Sequence, residues 1–454
     1  MRIWIDVEDL FQYVTGSRRP SGIQRLAFEL QRAIRGLAGG DRIRFLRHNL
    51  PGDTFGEVPW EDVEALFSGL VGHASRRVRG EAAGVMERPW RSRMRRLLYR
   101  LPVPIRVAAI RVGRAQMAAV KAQVQAVAAL PGLARALVTR SARMGRLVPF
   151  ADLVAPGDVI AVLGSPWFST DYAAMLRRAR VEHGVKVLLL VYDLIPIRHP
   201  EWCDRSLVQT FRRWFDTCLP EADMLFAISR ASAIDVARYA AERGIALPGP
   251  VRPIPIGTGF GAAPVAASAG AGLPEAGTYA LFVSTIEARK NHQVLFRAWR
   301  QLLNELPADA VPTLVFAGRE GWLVQDLMQQ LRNAEWLGGK IVFVEDPSDA
   351  ELVRLYGGCL FTLFPSLYEG WGLPVTESLA FGKPCIVSNV TSLPESGGTL
   401  ARYFDPDNLA DVVGVIRATI ADRADLAAWT LRVEREFRPV SWDASAQALL
   451  EHLA

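Results

Sequence analysis

Two glutamates with seven residues between them, Glu369 and Glu377, stand in the stretch Phe364-Pro-Ser-Leu-Tyr-Glu-Gly-Trp-Gly-Leu-Pro-Val-Thr-Glu. Glu369 occupies a glycine-interrupted loop after an apolar run, Leu360 to Phe364, and Glu377 falls in the first turns of the helix predicted to follow. In an α/β sheet such a junction is the carboxyl edge, where ligands bind. Gly370 and Gly372 let backbone approach a ligand, with Trp371 and Leu373 beside them. Pro374 suits the first helical position, and the helix start offers free N–H groups to an anion such as a nucleotide diphosphate. A second constellation, Arg289 and Lys290, follows the apolar run Ala280-Leu-Phe-Val-Ser-Thr just before a helical pattern. A guanidinium fork and an ammonium point charge together suit a diphosphate whose charge grows as it leaves. Each has a plain alternative: a strand-loop-helix junction with exposed glutamates, and a solvated basic helix start.

The elements that must position these residues come in two series. Ile3 to Val7, Ile43 to Leu46, Val159 to Leu163, Val185 to Tyr192 and Met224 to Ile228 read as strands, with helical patterns such as Ile23 to Ile34 and Asp171 to Glu182 between several of them. A Gly/Ala/Pro-rich stretch to Gly277 reads as a linker. The pattern then restarts at Tyr279 to Ser284, Thr313 to Ala317, Ile341 to Glu345, Leu360 to Phe364 and Cys385 to Ser388. Strands alternating with helices predict parallel sheets, and two such domains leave a cleft between their carboxyl edges. At 454 residues, half of them apolar, the chain is long enough for two globular domains. Its four scattered cysteines predict reduced thiols, and neither a zinc spacing nor an apolar run near 18 residues is visible.

The glutamate loop resembles the donor-site signature of glycosyltransferase family 4, in which the first glutamate faces the transferred sugar and the second holds the ribose. Those roles fall on Glu369 and Glu377. Ile286-Glu-Ala-Arg-Lys-Asn is similar to the family's donor-phosphate motif, which makes Arg289 and Lys290 leaving-group stabilisers. Arg19-Pro-Ser-Gly-Ile-Gln-Arg resembles its first glycine loop, with Ser21 as N-cap and Gly22 free to take unusual backbone angles; a purely structural glycine is the alternative. Val191-Tyr-Asp-Leu-Ile-Pro resembles a cleft segment that usually begins His-Asp, so Asp193 matches and Tyr192 departs. Gly318 and Arg319 match a loop near the nucleotide base, Gly257-Thr-Gly-Phe matches a hinge, and Leu393-Pro-Glu-Ser-Gly-Gly a loop read as structural.

The resemblance implies a GT-B fold, with an acceptor-side domain at 1–260, a linker at 261–277, a nucleotide-sugar domain at 278–436, and a terminal segment 437–454 packing back on the first domain. It implies a retaining hexosyltransferase that uses a nucleotide sugar as co-substrate, with no cofactor and no metal, and a glycan or lipid-linked saccharide as acceptor. Asp193-Leu-Ile-Pro and His199-Pro-Glu loosely resemble segments of bacterial polysaccharide mannosyltransferases, which implies GDP-mannose as a first guess for the donor. The alternative is an inactive GT-B protein that only binds nucleotide or glycan. Within a chain of net charge +6, the stretch Arg76 to Arg146 carries 17 Arg or Lys against two acidic residues. We expect a helical, amphipathic, basic insert at 72–149 that docks on an anionic membrane, with packing on protein as the alternative. No nucleic-acid motif accompanies this charge. A cytoplasmic protein, peripheral on the inner membrane, is expected.

Overall fold

The computed structural model describes residues 1–16, 19–49, 54–71, 77–79, 147–169, 171–259 and 273–453, with 116 and 123 singly. The basic insert lies almost wholly outside the described residues, as does most of the expected linker.

The first sheet contains β1 (Ile3–Asp6), β2 (Ile43–Asn49), β3 (Thr54–Val58), β5 (Val148–Pro149), β6 (Val159–Val162), β7 (Lys186–Val191), β8 (Met224–Ala227) and β9 (Arg252–Pro253). Their order is β5-β3-β2-β1-β6-β7-β8-β9. Strands β2 to β9 run parallel through β1, with Ile3 opposite both Ile43 and Val159, while β3 and β5 add an antiparallel edge. The second sheet orders as β15-β14-β13-β10-β11-β12-β4, from β10 (Tyr279–Val283), β11 (Thr313–Gly318), β12 (Ile341–Glu345), β13 (Phe361–Phe364), β14 (Cys385–Ser388), β15 (Arg402–Phe404) and β4 (Arg77–Arg79).

β4 corrects the expectation of a helical insert from residue 72. Residues 77–79 form a strand antiparallel to β12, so a segment early in the chain covers the edge of the second sheet. An uncovered edge leaves a row of unpaired N–H and C=O groups, and a three-residue strand satisfies them without needing helical periodicity.

Both faces of the second sheet are apolar, as a buried parallel sheet requires. Successive residues of β10 alternate: Ala280 and Phe282 enter one core with Trp299, Phe316, Phe343 and Phe364, and Tyr279 and Leu281 enter the other with Leu355 and Tyr356. In the first domain Trp4, Ile160, Leu189 and Leu225 anchor a core beneath helices Tyr172–His183 and Arg205–Cys218. Helix Trp442–Leu450 packs on helix Gly22–Ala38 of the first domain. Its Trp442 ring lies so close to Gly257 that a Cβ there would fall 2.3 Å from it. Among the described residues no helix is long and apolar enough to cross a membrane.

The strand orders define where a ligand can sit. In each sheet the chain lays strands to one side and then crosses to the other, opening a crevice between the carboxyl ends of two neighbours. These switch points lie between β1 and β6, and between β10 and β13.

Candidate active site

The second switch point holds the two constellations. β10 ends at Val283 and leads to the short 3-10 turn Ala288–Lys290, closed by Asn291 in the left-handed region (φ 56) before helix His292–Glu305. β13 ends at Phe364 and leads to Glu369 and helix Leu373–Ala380, whose N-cap Gly372 has φ 101. A backbone hydrogen bond from Leu367 N to Arg289 O, 2.8 Å, stitches the two loops together.

Glu369 is buried between both cations. Arg289 Nη1 donates to its Oε2 at 2.8 Å and Lys290 Nζ to its Oε1 at 2.5 Å. Burial alone would raise the Glu369 carboxyl, but the charges of Arg289 and Lys290 outweigh it and hold it at about 2. Burial pushes Lys290 down, helped by the adjacent Arg289 charge; Arg289 is raised despite its burial because Glu369 and Glu287 face it. The Glu369 backbone is fixed as well, its N–H donating to Thr391 Oγ1 at 3.0 Å and its carbonyl accepting from Ser392 Oγ at 2.9 Å.

The first domain closes on this loop. A Cβ at Gly370 would fall 2.4 Å from the Tyr192 carbonyl oxygen and 3.2 Å from Asp193 Cβ, so only glycine permits the approach. Asp193 therefore faces the Arg289–Glu369 group, and burial raises its carboxyl against the lowering charge of Arg289. Tyr192, at the position where the family has histidine, is buried and donates its hydroxyl to Leu163 O at 2.6 Å. That hydroxyl is committed to the fold.

Glu377 is buried one helical turn into its helix and accepts from Tyr356 OH at 2.8 Å. Burial raises its carboxyl, with Arg25 and Asp349 contributing opposite charges nearby. Trp371 gives its carbonyl to Ser392 Oγ at 3.2 Å, and its indole Nε1 is buried without a partner among the described residues. Gly318 lies against β10's exit, where a Cβ would fall 1.9 Å from Ser284 O, and Arg319 Nη2 donates to Tyr13 OH at 3.5 Å. Ser21 caps helix Gly22–Ala38 as expected. Gly22 does not take an unusual backbone angle, and a Cβ there would make only an ordinary van der Waals contact with Leu373 Cδ1 at 3.8 Å, so neither backbone angle nor space requires a glycine at this position.

Four contributors escape the motif reading. Glu287 binds Arg289 Nε at 2.8 Å, and only its place two residues before Arg289 hinted at it. Arg25 and Asp349 form a bidentate interdomain pair, 2.9 to 3.1 Å. Glu395, in the loop read as structural, reaches the first domain. Among the described residues no group of three or more His, Cys, Asp or Glu side chains converges as a metal site would.

The arrangement offers two partly buried cations, held in place by carboxylates, beside a glycine-lined helix start. An incoming diphosphate would find its counter-charges already oriented, with little reorganisation left to make. Residues 267–429 match the family described as Glycosyl transferases group 1. The serotype-specific mannosyltransferase WbdA of Escherichia coli is 27% identical over 291 residues, covering 60% of this chain and 34% of WbdA. The O-antigen chain mannosyltransferase B of Escherichia coli is 33% identical over 165 residues, 36% of this chain and 42% of that protein. The chain thus spans about a third of the length of WbdA. In fold it is similar to a trehalose-6-phosphate synthase structure, with a TM-score of 0.50 over 67% of this chain and 75% of that one at 15% identity. The chain has the GT-B fold, and its second domain matches the glycosyl transferases group 1 family over residues 267–429.

Proposed function

We propose that this protein is a retaining hexosyltransferase that moves a sugar, mannose from GDP-mannose in the first instance, to a hydroxyl of a glycan or lipid-linked saccharide in surface polysaccharide synthesis. The observation that carries the reading is the Arg289–Glu369–Lys290 cluster at the second switch point. The mannosyltransferases it resembles support the choice of sugar.

In this reaction the bond from the anomeric carbon to the phosphate oxygen breaks and a bond to the acceptor oxygen forms on the same face. The acceptor proton passes to the departing phosphate, so no carboxylate base is needed. Arg289 and Lys290 stabilise the charge that collects on the phosphate. Glu369, ionised throughout the working pH range, positions the sugar, Asp193 orients a hydroxyl from the other domain, and Glu377 holds the ribose. Trp371, Leu373 and Gly22 line the donor loop, and Gly318 and Arg319 lie towards the base.

Thermal unfolding in the presence of nucleoside diphosphates and nucleotide sugars tests the reading. A specific ligand at a hundred times its Kd stabilises by about 2.7 kcal/mol. We expect one nucleotide series to raise Tm and the others to leave it unchanged; a flat response to all of them rejects the assignment.

The basic stretch 72–149 suits docking on the cytoplasmic face of an anionic membrane, where a lipid-linked acceptor would lie, since each cation near such a surface contributes about 1 kcal/mol. Flotation with anionic but not neutral liposomes, lost when Arg91, Arg93, Arg95 and Arg96 are neutralised, is the expected result. Equal partitioning into both contradicts it.

A further inference from the structure

A carboxylate of the second domain caps a helix of the first. Helix Arg230–Arg243 starts at Ser229, whose hydroxyl accepts from Ser232 N at 2.9 Å. The N–H groups of Arg230 and Ala231 turn instead to Glu395, donating to its two carboxylate oxygens at 2.9 Å each. Two of the donors that every helix start leaves without an intrahelical partner are thereby satisfied by a charged group from the other domain.

The same end of the helix makes two more cross-domain contacts. Ser232 Oγ donates to Tyr192 O at 2.8 Å and reaches Gly370 O at 3.5 Å. Asp235 accepts from Tyr368 OH. Tyr368 and Gly370 are the immediate neighbours of Glu369. Glu395 belongs to the short helix Leu393–Gly397, directly after Ser392, whose hydroxyl holds the Glu369 carbonyl at 2.9 Å. One and a half turns of a first-domain helix therefore touch the chain on both sides of Glu369, and the strap behind it, without touching the Glu369 side chain.

We propose that the N-terminal end of helix Arg230–Arg243 is the seat on which the Glu369 loop is set for transfer as the domains close, with Glu395 and the Tyr368–Asp235 pair as its latches. This rests on the reading of Glu369 as the residue that positions the donor sugar. Glu395, Asp235, Ser232 and Tyr368 are positioning residues, because they act through the Glu369 loop. Opening the cleft returns the two N–H groups and the carboxylate to water, where each is solvated, so the latch is reversible. It contributes only in the closed arrangement, as an interaction specific to the reacting state should.

The test uses the full chain, with Glu395→Ala, Asp235→Asn and Tyr368→Phe. Each should lower kcat by about tenfold, the scale of losing a hydrogen bond to a charged group, while leaving the donor KM and the Kd for the nucleoside diphosphate within about twofold. Glu395→Gln, which keeps an acceptor oxygen, should recover part of the loss. Tyr368→Phe keeps the ring and removes only the hydroxyl, so it separates positioning from folding. Unchanged kcat in Glu395→Ala and Tyr368→Phe overturns the latch while leaving the donor site intact. Loss of diphosphate binding in parallel with kcat overturns it as well, because the residues would then build the donor pocket. Wild-type protein that binds no nucleoside diphosphate defeats the underlying reading, and the latch with it.

Discussion

The two sheets place buried carboxylates at equivalent positions, their switch points, and treat them in opposite ways. Between β10 and β13, Glu369 is clamped by Arg289 and Lys290, and its carboxyl sits at about 2. Between β1 and β6, Asp9 is buried, and among the described residues no cation pairs with it. Its Oδ2 accepts from Ser165 N at 2.9 Å and Ser165 Oγ at 3.1 Å, and a Cβ at Gly164 would collide with the carboxylate at 2.5 Å. Burial, with Asp6 close by, raises this carboxyl to about 6 against the lowering hydrogen bonds of Ser165. A site rich in fixed cations suits a diphosphate. One that holds a carboxylate among hydroxyl and amide donors repels it and suits a neutral, hydroxyl-bearing partner. The contrast agrees with the proposal that donor phosphate binds at the second domain and acceptor at the first.

The largest effect should come from erasing the charge difference at the second switch point. Arg289→Ala or Lys290→Ala is expected to lower transfer at least about a hundredfold, measured as acceptor-dependent release of nucleoside diphosphate. Activity surviving the double change would place the phosphate elsewhere. Next in size, in the proposed roles Glu369→Gln should chiefly lower kcat, as a residue at the reacting centre would, whereas Glu377→Ala should chiefly raise the donor KM, as a ribose contact made equally before and during reaction would. Steady-state kinetics that reverse this division would exchange the two roles.

A smaller effect sharpens the first switch point. Asp9 titrates near 3.8 when unfolded and near 6 when folded, so between these values the folded state binds more protons and stability falls as pH rises. The difference amounts to roughly 3 kcal/mol. Chemical denaturation at pH 4 and pH 6.5 should show this decline in the wild type and a flatter profile in Asp9→Asn; parallel profiles would mean that Asp9 is not the buried acid described here. Smallest of all, excess chelator should leave transfer unchanged if the cation pair, as proposed, takes the place of a metal on the leaving phosphate. Loss that magnesium restores would contradict that.

What could be read from sequence depended on how far apart the partners lie. Arg289, Lys290 and Glu369 were legible because each sits in a short motif directly after an apolar strand, and the sheet order then brings the two strand ends together. Glu287 lay within one of those motifs, but its role needed the ion pair to be seen. Asp9 and Ser165 are separated by 156 positions, and Glu395 and Arg230 by 165, with no local pattern announcing either contact. Glu395 reads as structural in the sequence because a Pro-Glu pair opening a short helix is unremarkable until the first N–H groups of helix Arg230–Arg243 are seen to donate to it. Gly22 has a conformational freedom it does not use, and a glycine before a helix looks the same in sequence whether or not the backbone there needs one. β4 was illegible for a similar reason, as three residues acquire strand character only from the distant edge they cover.

Calorimetric titration with GDP and with UDP, on the wild type and on the Arg289→Ala/Lys290→Ala protein, tests the central claim most directly. The account predicts that the wild type binds one of them, and that the double variant, still folded, binds it at least about a hundredfold more weakly through the loss of two charge-assisted contacts. Equal affinity in both proteins would show that the diphosphate is not held at the second switch point.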